Sequence, residues 1–280
     1  MTIRETLQAA YQRLSHIDSA RLDAQILLSH VLDVEKAYLI AYDDRVLSAD
    51  EAAQFESLLQ RRAMGEPIAY ILGTKGFYDL DFIVTPDVLI PRPETEHLIE
   101  AALQWARRKE KMSLFAADIG TGSGAIAVTF AKHTPQAHVH AVDISSAALT
   151  IAQENASRNQ ATIQFHHGNL AQPLIDANLQ LDLLMANLPY IRSDEMPMLA
   201  VSKHEPHLAL EGGDDGLDLV RDLLRQVPQV CHAGALILLE IGAEQGQAVL
   251  DFANETLSPK NATIIKDYAG HDRIVRFQLR

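Results

Sequence analysis

From Ser113 to the end of the chain, short apolar runs and helical stretches take turns, and few folds accommodate that order. Strand-like runs are expected at 114–119, 138–142, 162–166, 181–186, 235–241, 261–266 and 273–278. Helical stretches are expected at 124–133, 146–158, 214–230 and 244–256. Strands separated by whole helices favour parallel pairing over hairpins. The pattern predicts an α/β architecture, a mostly parallel seven-stranded sheet with helices on both faces. A ligand then belongs at the carboxyl ends of the strands, near the point where strand order reverses.

The chain before this region reads differently. Apolar positions recur at helical spacing in 3–15, in 20–33 ("ARLDAQILLSHVLD") and in 50–63 ("DEAAQFESLLQRRA"). Asp18-Ser19 and Ser48-Ala49-Asp50 are N-cap candidates. A small helical bundle is expected over 1–73. A Gly- and Pro-rich linker follows over 74–93, hairpin-like, with short runs at Phe77–Phe82 and Val88–Ile90. The second domain is expected over 94–280. It opens with a helix at 94–108 whose Leu98, Ala101, Ala102 and Trp105 share one face.

"ADIGTGSGAIAV" (Ala117–Val128) places Gly120, Gly122 and Gly124 between a strand and a helix. Glycines there allow positive φ and close approach of a ligand, and the helix N-terminus offers free N–H groups. The next strand ends at Asp143, where a carboxylate can accept both hydroxyls of a ribose. Dinucleotide-binding turns share this logic but read G-x-G-x-x-G. Here the spacing is G-x-G-x-G, and the fourth position after Gly122 is Ile126.

The strand at 181–186 runs into Asn187-Leu188-Pro189-Tyr190. A planar amide or aromatic amine nitrogen is a poor nucleophile, because its lone pair is delocalised, and an enzyme must orient it. The Asn187 side-chain oxygen and the Leu188 carbonyl can each accept a hydrogen bond from an NH2 group. Pro189 stiffens the loop, and Tyr190 can lie against a flat substrate group. Asn187, Pro189 and Tyr190 are the catalytic candidates, and with Leu188 they form the substrate-binding set. Read alone, this stretch leaves two substrates open, a glutamine amide and the amine of adenine.

The formal charge of −13 bears on that choice. An acidic chain is not built to coat nucleic acid, so a protein or small-molecule partner is expected and a stable nucleic-acid complex is not. The single cysteine, Cys231, precludes an internal disulfide and reads as a helix-end or loop residue. The first residues, "MTIRETLQAAYQRL", carry charges through any would-be apolar segment, which argues against a signal peptide. No apolar run reaches membrane-spanning length. A cytoplasmic protein is expected, and a monomer, since nothing demands a dimer. His166 and His167 are adjacent in a strand and should point to opposite faces, so no shared metal is expected.

The chain resembles the bacterial release factor glutamine methyltransferases (the PrmC/HemK family). The resemblance rests on "IPRPETE" (Ile90–Glu96), "ADIGTGSGAIAV", "AVDIS", "NLPYI", "EPHLALEGGDDGL" (Glu205–Leu217), "LLEIG" with Gln245, "DYAGHDRIV" and, near the start, "DAQILLSHVL". It implies a Rossmann-like class I methyltransferase fold and S-adenosylmethionine as cofactor, leaving S-adenosylhomocysteine. It also implies methylation at N5 of the glutamine in the Gly-Gly-Gln loop of class I peptide chain release factors. Gly120, Thr121, Gly122, Ser123, Gly124, Asp143, Asn169, Leu170 and Asn187 would then contact the cofactor. The helical domain would help grip the release factor. Two positions depart from the family pattern. Leu188 stands where a second proline is usual, although its carbonyl is unchanged. Gly168-Asn169-Leu170 replaces Gly-Asp followed by an aromatic residue, which removes an aromatic contact with adenine. Asn-Leu-Pro-Tyr also matches adenine-N6 methyltransferases of RNA or DNA, the alternative that "PRPETE" and the acidic charge disfavour. A non-catalytic binding protein of the same fold is disfavoured by the intact glycine turn and Asn187. Arg92, Glu94 and Glu96 could brace the pocket or form structural ion pairs. Gly212, Gly213 and Asp214 are expected to make a turn that caps the next helix.

Overall fold

The computed structural model describes residues 1–109 and 113–280. They form two compact units, Met1–Thr74 and Lys75–Arg280.

The smaller unit is helical: α1 (Ile3–Arg13), α2 (Ala20–Leu32), α3 (Lys36–Ala41), α4 (Ala49–Ala63) and α5 (Ile68–Leu72). α1 and α4 each begin with a capping box, Thr2 with Glu5 and Ser48 with Glu51. In each, side chain and backbone satisfy two otherwise orphaned N–H groups. Ser19 precedes α2 but makes no side-chain cap bond; its hydroxyl donates to Asp23 at 2.8 Å. The buried Asp23 also accepts from Arg62 at 2.7 Å, tying α2 to α4. Ile3, Leu14, Leu27, Leu28, Phe55 and Leu59 fill the space between the helices.

The chain passes from one unit to the other at the start of a hairpin, β1 (Thr74–Phe77) and β2 (Leu80–Ile83). The expected run Phe77–Phe82 is therefore not one strand. Its middle is a turn, with Tyr78 at φ 58°. Val88 and Ile90 are buried, but the run between them forms no strand. Beyond the hairpin come α6 (Glu96–Arg107), β3 (Leu114–Ile119), α7 (Ala125–His133), β4 (Ala137–Asp143), α8 (Ser146–Arg158), β5 (Ile163–His167) and α9 (Gln172–Asp176). β6 (Leu181–Ala186), α10 (Asp218–Val230), β7 (Cys231–Glu240), α11 (Gly246–Leu257), β8 (Lys260–Lys266) and β9 (Asp272–Gln278) complete the unit.

The seven-stranded sheet has the order β5-β4-β3-β6-β7-β9-β8, with only β9 antiparallel to its neighbours. Side chains alternate between its faces, as strand geometry requires. Leu183, Met185, Leu236 and Leu238 pack with α6 and α7 residues such as Leu98, Ile99 and Phe130. Leu184, Ala186, Ile237 and Leu239 pack with α10 and α11 residues such as Leu223, Val227 and Val249. All of β6 is buried, the signature of a strand covered on both sides.

Strand order reverses at β3, which is flanked by β4 and β6. Ile119 pairs with Val142 on one side and Ala186 on the other, so these three strands end level with one another. Their following loops form one rim at the switch point, where a ligand site belongs.

α10 starts at Asp218, four residues later than the periodicity predicts, because Gly213 and Gly216 hold φ of 93° and 77° and keep the preceding segment irregular. Among the described residues no helix is long and apolar enough to cross a membrane.

Gly124 sits at the N-cap of α7 with φ 82°, and a Cβ there would lie 3.1 Å from Ala152 Cβ on α8. Gly124→Ala is expected to destabilise the protein by about 1–3 kcal/mol through backbone strain and that contact. Chemical denaturation reads the loss directly.

Candidate active site

The glycine turn after β3 is held from beneath and from the side. Beneath it, the fully buried Asp118 accepts from the Thr121 hydroxyl at 2.6 Å and from the Ala127 N–H at 3.2 Å through one oxygen. Its other oxygen has no hydrogen-bond partner. Burial pushes the Asp118 pKa up to about 7, the two donors pull it down, and the neighbouring Asp143 charge pushes it up. From the side, Asp143 accepts the Gly122 N–H at 2.8 Å with one oxygen and the Ser145 N–H at 2.8 Å with the other. Each oxygen retains a lone pair for a further donor.

Gly120 and Gly122 have φ of 75° and 55°. A Cβ on Gly120 would come within 3.0 Å of Leu188 Cδ2, so the turn and the loop after β6 are in contact. A Cβ on Gly122 would meet nothing within 4 Å, so this face of the turn looks into open space.

That space is a cavity of about 1150 Å3, counted to its open mouth. Gly120, Thr121, Gly122, Ser123, Asp143, Asn169, Leu170, Asn187, Leu188 and Pro189 all line it. These residues come from loops after four different strands. Leu170 is nine-tenths buried and has φ 50°, which turns the loop after β5 back toward α9. Two of the expected site residues lie outside the lining. Gly124 is a packing glycine against α8. Tyr190 is only partly exposed, and its ring lies beside Gly242. Burial raises its pKa, Glu240 raises it further, and Arg273 and Arg92 oppose them.

The loop after β6 is clamped at several points. The Asn187 side-chain NH2 donates to Thr95 Oγ1 at 3.1 Å. The Gln245 amide donates to the Tyr190 carbonyl at 2.9 Å and accepts from the Gly242 N–H at 2.9 Å. The Ile191 N–H donates to the Leu210 carbonyl at 3.0 Å, and the Gly212 N–H donates to the Ile191 carbonyl at 2.8 Å. A Cβ on Gly212 would stand 2.6 Å from the Pro189 carbonyl oxygen. The glycine pair is thus an approach site for this loop. The turn expected at Gly212-Gly213-Asp214 meets the start of α10 through its backbone: the Gly212 carbonyl accepts the Asp218 N–H at 3.1 Å and the Gly213 carbonyl accepts the Gly216 N–H at 3.3 Å, while the N-cap Leu217 makes no side-chain bond.

"PRPETE" divides its labour. Arg92 lines the cavity and pairs with the buried Glu205 at 2.5 Å, and the other Glu205 oxygen accepts the Ile90 N–H at 3.1 Å. Glu96 accepts the Tyr78 N–H at 2.9 Å and fixes the hairpin turn. Thr95, which sequence reading passed over, touches Asn187 and lines the cavity. Glu240 in "LLEIG" was passed over as well. It is 2% exposed, and it follows Leu239, the register partner of Ala186, so it stands beside Asn187 across the ends of β7 and β6. Both residues stand inside quoted motifs. Neither could be singled out without knowing that the ends of β6 and β7 face the start of α6.

The histidines behave as alternation predicts. His166 meets His140 at 3.0 Å, while His167 meets the Ile144 carbonyl at 2.9 Å. Among the described residues no group of three or more His, Cys, Asp or Glu could hold a metal ion. Cys231 begins β7, and burial pushes its thiol up to about 12, which removes thiolate chemistry.

The family described as the PrmC N-terminal domain matches residues 5–73, and the methyltransferase small domain matches residues 101–204. A release factor glutamine methyltransferase of Moorella thermoacetica is 42% identical over 278 residues, covering 98% of this chain and 97% of that protein. Proteins of the same name are 40% identical in Koribacter versatilis, with 98% of each chain covered, and 38% identical in Vibrio cholerae, with 100% and 98% covered. Among solved structures, a methyltransferase from Pyrococcus furiosus superposes with TM-score 0.52 at 16% identity, over 72% of this chain and 89% of that one. A 16S rRNA methyltransferase of T. thermophilus, solved with AdoMet and guanosine, gives TM-score 0.55 at 14% identity, over 74% of this chain and 50% of that one; at such identities the likeness is one of fold. On the full-length matches, the chain belongs to the release factor glutamine methyltransferase family.

Proposed function

We propose that this protein transfers the methyl group of S-adenosylmethionine to the side-chain amide nitrogen, N5, of the glutamine in the Gly-Gly-Gln motif of class I peptide chain release factors, and so acts on translation termination. The observation that carries the reading is the shared cavity. A glycine turn with an acid beside it forms one wall, and Asn187-Leu188-Pro189 forms the rim opposite.

The residues present fit the cofactor. The open face of Gly122 is a cradle that any side chain would fill. Asp143, whose oxygens are each pinned by one backbone N–H, presents its remaining lone pairs to ribose hydroxyls. Gly120, Thr121, Gly122 and Ser123 border the amino-acid end, and Asn169 and Leu170 flank the base. When bound, S-adenosylmethionine supplies a methyl group on a positively charged sulfur. The protein's task is alignment. Asn187 Oδ1 and the Leu188 carbonyl accept the two amide hydrogens of the glutamine, which turns the nitrogen lone pair toward the methyl group. Pro189 restricts the loop. Tyr190 serves through its carbonyl, held by Gln245, and through the packing of its ring behind the rim. The amide proton released on transfer passes to water.

The helical unit, residues 1–73, would help grip the release factor, and residues 94–280 carry the chemistry, joined by the segment 74–93. The acidic surface suits a protein partner and disfavours RNA. A monomer suffices for this reaction, and the cytoplasm is the compartment where release factors work.

Mass spectrometry of purified release factor, after incubation with this protein and S-adenosylmethionine, tests the reading. One added methyl group on the Gly-Gly-Gln glutamine is expected. Untouched release factor with methylated adenine in rRNA would overturn it in favour of the nucleic-acid reading.

A further inference from the structure

A carboxamide presents two ends of nearly the same shape, an oxygen and an NH2, exchanged by a half-turn about one bond. Only one end suits Asn187 in the role given above, on which this inference rests. Its oxygen must face the cavity to accept from the substrate amide. Packing does not distinguish the two ends; hydrogen-bond polarity does.

Beside Asn187 stand Thr95, at its NH2, and Glu240, which follows the register partner of Ala186 on β7. The Asn187 NH2 donates to Thr95 Oγ1 at 3.1 Å. Thr95 is 4% exposed and Glu240, at the end of β7, is 2% exposed, so no solvent intervenes to scramble the network. One Glu240 oxygen has no hydrogen-bond partner among the described residues. A carboxylate can only accept, and a hydroxyl has a single hydrogen to give. If Thr95 gives its hydrogen to Glu240, its oxygen is left as an acceptor toward Asn187. Every group behind Asn187 then accepts, and its NH2 must point inward.

We propose that Thr95 and Glu240 are positioning residues, which fix the Asn187 carboxamide with its oxygen toward the substrate amide through a chain of hydrogen bonds of one polarity. Neither touches the reacting atoms. Protonation of Glu240 would reverse the chain, because a carboxylic acid can donate. Thr95 could then donate to Asn187 and favour the flipped amide.

The surroundings set where that reversal falls. Burial pushes Glu240 up to about 7, and the donors Thr95 and Asn187 and the charge of Arg273 on β9 pull it down. The nearby Glu94 pushes it up, and the Tyr190 hydroxyl also faces it. Arg273 is shared with Asp267, which accepts from it at 3.0 Å. The sign follows. Glu240 ionises as pH rises through about 7, so the competent amide orientation and kcat rise with it and level off above.

The test compares Glu240→Gln, Thr95→Val and Thr95→Ser with the unaltered protein, using release factor and S-adenosylmethionine as substrates and S-adenosylhomocysteine titration calorimetry as a check on the cofactor cradle. Glu240→Gln and Thr95→Val are expected to lose about 10- to 100-fold in kcat, with KM for S-adenosylmethionine and the affinity for S-adenosylhomocysteine essentially unchanged. Thr95→Ser, which restores the hydroxyl, should recover most of the rate. In the unaltered protein kcat should climb between about pH 6 and 8, and in Glu240→Gln that climb should vanish. Unchanged kcat and an unchanged profile in both Glu240→Gln and Thr95→Val, with Asn187→Ala inactive, overturn this inference alone. A flat profile in the unaltered protein counts against it without recourse to any variant. A release factor that no form of the protein methylates overturns the functional reading instead.

Discussion

Replacing Asn187 with alanine should lower kcat for methyl transfer by about 100- to 1,000-fold, a loss comparable to that of a preorganised polar group in other active sites. An amide nitrogen shares its lone pair with the carbonyl beside it and attacks only when turned out of that conjugation. Asn187 supplies the side-chain acceptor of the pair that does the turning; the Leu188 carbonyl alone leaves the NH2 free to rotate. The fold should be spared. Asn187 is only partly buried, and its recorded side-chain bond to Thr95 is one of several clamps on the loop. S-adenosylhomocysteine production by the variant, with its melting temperature and cofactor affinity measured alongside, separates lost alignment from lost structure. Turnover at the unaltered rate would sink the mechanism.

Asp143→Ala should strike the other wall of the cavity, raising the dissociation constant for S-adenosylmethionine by about 100-fold. Two charge-assisted hydrogen bonds to the cofactor, at about 1.5–3 kcal/mol each, are more than sufficient for that. Asp143 also holds the Gly122 and Ser145 N–H groups, so the glycine turn loses its lateral support in the same change. Calorimetric titration with S-adenosylhomocysteine reads the effect. Affinity within a few-fold of the original would remove Asp143 from the cofactor site.

The two central strands were legible to the residue. The runs 114–119 and 181–186 are β3 and β6 with the same ends, since each is apolar but for one aspartate and bounded by polar or glycine turns. α3, α5 and α9, of six, five and five residues, are too short for a helical period to show. Val88–Ile90 stands out as an apolar run because burial alone selects for apolar residues, whether or not a partner strand is available. In the glycine turn, the motif does not say which glycine does what. Gly122 opens into the cavity and Gly124 backs onto Ala152, a difference that only α8 decides. Tyr190 reads as a substrate contact from its place in the motif, yet it is not among the residues that line the cavity. Thr95 and Glu240 illustrate the general limit. Their meaning lies in polarity across three elements far apart in the chain, and no local pattern carries it.

The clamps on the loop after β6 differ in reach from those on the glycine turn. Asn187 is held by a residue 92 positions away, and the Tyr190 carbonyl by one 55 positions away. The glycine turn is held by Asp118 and by Asp143, only 21 positions from Gly122. The bonds that hold the loop are only part-buried, whereas the Asp118 bond beneath the glycine turn is buried, and the less buried contacts are the first lost in partial opening. The two walls of the cavity therefore differ in resilience. Under mild denaturing stress the protein will give up its reaction while still holding its cofactor, and cofactor binding alone is a poor gauge of whether the enzyme is intact.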